Sequence, residues 1–552
     1  MSFIIKSRGR KRAPLGLDEP LRHQGHKRPV TRRDFLAQGF LTGSATVIAP
    51  SVLATLFNPR LARGAPTTTL DSDIIALKDQ AICAIQGGAA KIPFICFDLA
   101  GGANIAGSNV LVGKKLGQLD ALTTQGYSKL GLPGNMLPTN STTNFVDTQF
   151  GLAFHSDSAF LRGMLSTTTP ATRANVNGAV IPARSENDTS NNPHNPMYGI
   201  AKAGAKGELL TLIGSQNSDS GGNSMAPAAM MDPSNRPTKV DRASDVTGLV
   251  DTGDVAKILQ PRDTVRTLET MAFLSKSKVG LGVGPSQLQE AGTVTTRLDN
   301  LEDIDTRKRF LCSYVKTADT VNTFADPRSL DPLTDPAILA IPTFGTSLSN
   351  DAEFRKTASV MKLVVPGNAG AGTITMGGFD YHTGDRSTGE GRDFRAGQCM
   401  GACLEYAAAQ GKPLMLYVFS DGSLSSNGRV DDSAGGRGKG EWTGDNQQTA
   451  ASFFLVYNPS GKPVLMREGS QTSSPSSQIG YFRQDGDVET ASSPAANSVT
   501  QLVQTVLLNY MALHDEIDLF TDKFGTALGT GSSLDALVAL QPICSGTILS
   551  PV

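Results

Sequence analysis

Three apolar runs in this chain end in side chains able to hold a metal ion: Asp98 in FDLAGG, Asp380 and His382 in GGFDYH, and Asp421 in VFSDGS. An Asp ahead of Gly is by itself ordinary turn chemistry. Three carboxylates drawn to one edge of a sheet repel one another, and a cation is the simplest neutralising partner. Carboxylate oxygens suit hard ions such as calcium, and an added imidazole moves the preference toward zinc or manganese. Asp380 and His382 stand two residues apart, on the same side of an extended segment. Histidine is scarce: after residue 64 the chain has only His155, His194, His382 and His514. His514, beside Asp515 on an expected helix, reads as structural, which leaves His155, His194 and His382; His382 gains from Asp380 two residues away, and His194 in the PHNP loop is placed to join the site from elsewhere. The candidate metal ligands are therefore Asp98, Asp380, His382, Asp421 and His194. One divalent ion, or none, fits that supply better than two.

Ser158 in HSDSAF precedes an expected helix, where free N–H groups and the helix dipole favour an alkoxide; the plainer reading is helix capping. Ser423, Ser425 and Ser426 belong to a flexible-turn pattern. The run GGRGKG, Gly435 to Gly440, reads as a mobile loop, the rival reading being a contact for an anionic substrate. Met225, Met230 and Met231 read as adaptable apolar packing, and Cys399 and Cys403, four apart on one helical face, as packed core. No GxGxxG follows a strand, and GxxxxGK[ST], HExxH and GxSxG are absent.

The elements that must position these groups alternate strand with helix. Strands are expected at 91–98, 208–214, 371–376, 413–420 and 451–458, and helices over Leu70 to Ile85, from near Ser156, from Glu390 to Gln410 and over 497–513. Such spacing predicts parallel pairing by right-handed crossovers, an α/β fold with a mostly parallel sheet. In open sheets of this kind ligands gather outside the C-terminal strand ends, where Asp98 lies. Residues 215–247 lack periodicity and read as a long surface excursion placed to cover a site. Residues 253–276 and 286–324 read as helical, so an insertion is expected at about 215–330.

The 552 residues include 39% hydrophobic and only 18% charged side chains, which excludes a coiled coil or a highly charged disordered chain. Residues 1–64 carry 12 Lys or Arg and three acids, leaving 38 basic against 48 acidic residues in the rest. The remainder thus carries a formal charge of about −10, and such a surface does not suit nucleic acid. Ten of those basic residues fall within the first 33, and Thr31-Arg32-Arg33-Asp34-Phe35-Leu36 leads into an uncharged, weakly apolar stretch. Residues 1–64 are therefore expected to be a twin-arginine-type signal peptide cleaved near Gly64, and 65–552 a single domain. The expected partner is the twin-arginine export machinery, the expected location periplasmic or secreted, and no stable membrane span is expected after cleavage. Six cysteines leave disulfides open in that compartment.

FDLAGG, LAFHSDSAFLRG, SENDTSNNPHNPMYG, GGFDYHTG and LYVFSDGS, spread over about residues 90–460, resemble landmarks of twin-arginine-exported bacterial proteins of unassigned function. Their core is similar to that of the alkaline phosphatases and sulfatases. The resemblance implies an alkaline phosphatase-like fold, with Asp98 as the early metal ligand, Asp380 and His382 as the later Asp/His cluster, and Asp421 as the last carboxylate. It also implies Ser158 as nucleophile and a small anionic ester as substrate. The chain departs from that pattern where it has Asp421-Gly422 in place of Asp-His-Gly, and Glu441-Trp442 in place of a late Asp-His. Two readings follow: a metal-dependent hydrolase of phosphate or sulfate esters with a partly degenerate site, or an inactive binding or assembly protein of the same fold.

Overall fold

In the computed structural model, which describes residues 89–139, 144–185, 192–250, 263, 265–272, 301–324, 327–467 and 476–552, the first apolar run becomes the middle strand of a seven-stranded sheet. The strands are β1 (Phe94–Leu99), β2 (Val176–Pro182), β3 (Leu210–Gly214), β4 (Thr238–Lys239), β5 (Ala369–Met376), β6 (Leu414–Phe419) and β7 (Ala451–Tyr457). Their order across the sheet is β2-β7-β6-β1-β5-β3-β4. β1 pairs in parallel with β5 and β6, and β3 in parallel with β4 and β5. The fold is α/β with a mostly parallel sheet.

Two details depart from expectation. β7 runs antiparallel to both β6 and β2, because about thirty residues of loop, without a crossover helix, join it to β6. β2 carries Asn177 and Gly178 within an otherwise apolar run, so its sequence does not announce a strand. The segment 215–247 is also less superficial than its composition suggests. It contributes β4 to the sheet edge, and Ser220, Gly221, Gly222 and Ser224 are buried.

Six helices matter for the site: α1 (Ala159–Thr167), α2 (Met197–Ala203), α3 (Leu301–Thr323), α4 (Ala352–Val364), α5 (Arg386–Ala409) and α6 (Val499–Ala512). Alternation along β1 sends Ile95, Phe97 and Leu99 into one core with residues of α1, α4 and α5, and Phe94 and Cys96 into the other with α2 and α6. Each such apolar side chain contributes about 1.5–3 kcal/mol by leaving water. α1 and α5 touch backbone to backbone: a methyl on Gly163 would lie 2.2 Å from the Phe394 carbonyl, and one on Gly397 2.2 Å from that of Phe160.

The expected signal peptide, the helix over 70–85, and most of 253–300 lie outside the described residues. No described helix is long and apolar enough to cross a membrane. Cys96, Cys399, Cys403 and Cys544 are free and buried, and Cys312 on α3 is disulfide-bonded.

Candidate metal centre

The register sets Asp98 of β1 level with Thr375 of β5 and Phe419 of β6. Asp380 follows four residues beyond the end of β5 and Asp421 two beyond the end of β6, so the carboxylates do collect at one edge of the sheet. The turn after β1 touches two of them. Gly101 has φ +118°, a conformation that favours glycine, and a methyl there would stand 3.1 Å from both the Asp380 Cβ and its amide nitrogen. The Gly101 N–H donates to Asp421 Oδ1 at 2.8 Å.

Collecting at one edge does not mean sharing one ion. Asp98 is fully buried. Its Oδ2 accepts the amides of Asn223 and Ser224 at 2.7 and 2.9 Å, and its Oδ1 accepts the Ser224 hydroxyl at 3.0 Å. The Thr375 hydroxyl adds a longer bond at 3.4 Å. Burial pushes this carboxyl above its ordinary range, and those donors pull it back. Asp98 thus anchors the 220–224 loop, which covers it. Asp421 is equally buried, holding the β1 turn through Gly101 and receiving the Asn192 side-chain amide on its backbone carbonyl.

The open groups are different ones. Asp380 Oδ1 lies 2.7 Å from His382 Nε2, and Asp445 Oδ1 lies 3.6 Å from the same nitrogen. Among the described residues, these three form the one set of His, Cys, Asp or Glu ligand atoms lying mutually within 4.8 Å. Ligand atoms around a single ion with bonds of about 2.1 Å stand about 3 to 4 Å apart, so small side-chain rotations would close this set on one ion. Asp380 and Asp445 are about half exposed and His382 about a third, which leaves a side facing solvent.

Asp445 arrives from another loop. The Gly384 N–H donates to the Trp442 carbonyl at 2.9 Å, tying the segment after His382 to the one that carries Asp445. Asp445 then pairs antiparallel with Leu424, in the loop after β6.

The remaining candidates separate cleanly. Ser158 is buried and is the N-cap of α1. Its hydroxyl donates to Asn109 Oδ1 at 2.8 Å and accepts the Leu161 amide at 3.1 Å. Its one donor and one acceptor position serve the cap of α1. His194 is buried, with its ring parallel to that of Phe419 at 6.0 Å and neither ring nitrogen hydrogen-bonded. Burial holds its pKa down to about 3, so the ring is neutral, and it stands outside the Asp380 cluster. His155 gives Nε2 to the Met136 carbonyl and stacks on Phe145, while His514 is fixed by Ile92 and Tyr510. Both are structural. Glu441 pairs with Arg429 and is not a ligand of this cluster.

Trp442 packs beneath the Arg386 guanidinium, 4.5 Å from its ring centre. The GGRGKG run is pinned rather than mobile. Arg437 pairs with Asp157, and fully buried Lys439 lies 2.8 Å from Glu390 and 3.2 Å from Asp157. Glu390 also pairs with Arg386 and Arg162. Burial alone would raise the Asp157 carboxyl, yet Arg437 and Lys439 outweigh it and hold the pKa at about 2. These cations are spent on internal carboxylates, not offered to a substrate.

Sequence reasoning missed Asp445, Asp393 and the Arg386–Glu390–Lys439 cluster. Asp445 sits in a polar loop, GEWTGDNQQ, with no spacing that marks it. In comparisons with protein-family models, curated proteins and solved structures, nothing matches this chain.

Proposed function

We propose that this chain is an exported protein with an alkaline phosphatase/sulfatase-like core that holds one divalent ion through Asp380, His382 and Asp445 and uses it to bind a small anionic ester. The observation that carries this reading is the convergence of two carboxylates and one imidazole, partly open to solvent, at the C-terminal edge of a mostly parallel sheet. The mixed oxygen and nitrogen donor set favours manganese or zinc over calcium. A two-ion centre does not fit: Asp98 is enclosed by backbone amides, Asp421 is buried with Oδ1 on the Gly101 amide, and Ser158 is a cap. Bound there, the ion would supply a Lewis-acidic position for a phosphate or sulfate oxygen. The chain's own residues orient and bind; no serine alkoxide is part of the reading. Export to an oxidising compartment, periplasmic or secreted, by the twin-arginine route accords with the disulfide at Cys312.

Elemental analysis and Mn2+ titration of the mature protein test this. The expected result is one ion per chain, lost in Asp380→Asn and His382→Gln and weakened in Asp445→Asn, with phosphate or sulfate binding seen only in metal-loaded protein. Ion-free protein that does not take up Mn2+ or Zn2+, or an Asp445→Asn variant of unchanged affinity, overturns it.

A further inference from the structure

Between the two ligands Asp380 and His382 lies Tyr381, whose side chain turns the other way, into the protein. It is buried against α5, where Gly389 makes room for it: a methyl on Gly389 would come within 2.7 Å of the ring. The Tyr381 hydroxyl accepts the Asn104 amide at 3.1 Å and donates to Asp393 Oδ1 at 2.7 Å. Asp393 is itself buried, and its Oδ2 accepts from Asn109 Nδ2 at 2.7 Å. Asn109 is saturated. Its amide also donates to the Asn104 carbonyl at 2.8 Å, and its Oδ1 accepts the Ser158 hydroxyl at 2.8 Å and the Phe160 amide at 3.2 Å. A continuous chain of satisfied hydrogen bonds thus runs from the first turn of α1, through Asn109 and Asp393, to the residue between the two ligands.

We propose that Tyr381 is a positioning residue of the metal centre, fixed by Asp393 and Asn109 to the start of α1, so that Asp380 and His382 are held together on the side away from the buried Tyr381 ring. This rests on the reading of Asp380, His382 and Asp445 as ligands. The physical reason is that Tyr381 is buried while its two neighbours are open and 2.7 Å apart, so fixing the middle residue fixes the backbone from which both ligands project. Groups hydrogen-bonded directly behind ligating side chains are worth about 10- to 100-fold in metal affinity; Tyr381 acts in the same sense through the backbone that joins the two ligands. The hydroxyl of Ser158 finds its use here, as the far end of this chain.

Mn2+ affinity and the visible spectrum of the Co2+ form, measured on the mature protein, test the assignment against a matched control. Tyr381→Phe removes one buried phenol hydroxyl next to the ligands. Tyr510→Phe removes another, bonded to the Ile92 carbonyl before the start of β1, at the opposite end of that strand. Tyr381→Phe is expected to weaken Mn2+ binding about 10- to 100-fold and to alter the Co2+ bands, while Tyr510→Phe leaves both unchanged at a similar cost in melting temperature. Asp393→Asn keeps an acceptor for the phenol and is expected to retain most of the affinity that Asp393→Leu loses. That pair serves should Tyr381→Phe not fold. Equal affinities for Tyr381→Phe, Tyr510→Phe and wild type, or for Asp393→Asn and Asp393→Leu, overturn this assignment alone. Wild-type protein that binds no Mn2+ removes the parent reading and this one together.

Discussion

Asp98 and Asp380 belong to the same edge of the same sheet, yet one is enclosed and the other is open. Asp98 lies under a loop whose backbone bends to give it two amides and a hydroxyl. Asp380 rests on Gly101 with about half its side chain in solvent, beside His382 and Asp445. A carboxylate needs compensation for burial, and backbone N–H groups supply it as well as a cation does. Carboxylates at a strand end therefore do not specify an ion. What decides is whether the chain itself has already filled their acceptor sites.

The largest effect separates the two. Asp98→Ala would leave the Asn223 and Ser224 amides and the Ser224 hydroxyl buried without their acceptor, a loss of about 3–5 kcal/mol in urea unfolding, with Mn2+ stoichiometry unchanged in whatever remains folded. Asp380→Ala should do the reverse, abolishing Mn2+ binding while shifting metal-free stability by less than about 0.5 kcal/mol. A folded Asp98→Ala protein that has lost its ion would break the comparison.

Buried titratable groups on the two faces of the sheet sharpen it through pH. His194 is held at about 3, below its ordinary 6.5, by burial. Its contribution is full above about 6.5 and is lost as pH falls toward about 3, because the unfolded chain takes the proton first. Asp393 has the opposite sign. Burial raises it from 3.8 to about 7 against the Tyr381 and Asn109 bonds, with Glu390 adding to the rise. Its contribution is full below about 3.8 and is lost as pH rises through about 7. Unfolding curves from pH 4 to 8 should therefore show His194→Phe flattening the acid limb and Asp393→Asn the limb toward neutrality, each by on the order of 3 kcal/mol. Parallel profiles for wild type and variants would remove both assignments. A modest effect is expected of Ser158→Ala, about 1 kcal/mol for a lost cap, with a smaller change in Mn2+ affinity than Tyr381→Phe gives.

Much of the scaffold was legible. β1, β3, β5, β6 and β7 each grow from a short apolar run and α6 follows from helical spacing, while α5 begins at Arg386 behind the Asp385 cap, four residues ahead of the expected start at Glu390. β2 was not legible, since Asn177 and Gly178 interrupt its pattern and only pairing with β7 completes it. The direction of β7 was misread, because the strand and helix alternation elsewhere was extended across a helix-free connection that permits antiparallel pairing. Of the candidate site, Asp380 and His382 could be read from their i, i+2 spacing. Asp445, 63 positions after His382, could not, since the Gly384 to Trp442 hydrogen bond that brings its loop across is a contact between distant parts of the chain.

The sequence by itself determined where strands end and which acidic and imidazole side chains stand at those ends, because apolar runs, glycine turns and residue chemistry are local properties. Tertiary structure alone decided which of those side chains stay available. The 220–224 loop closes over Asp98, α1 consumes the Ser158 hydroxyl, and the segment after Trp442 delivers Asp445 to His382. Hydrogen-bond satisfaction and burial depend on what the rest of the chain brings alongside, and no window of residues contains that information.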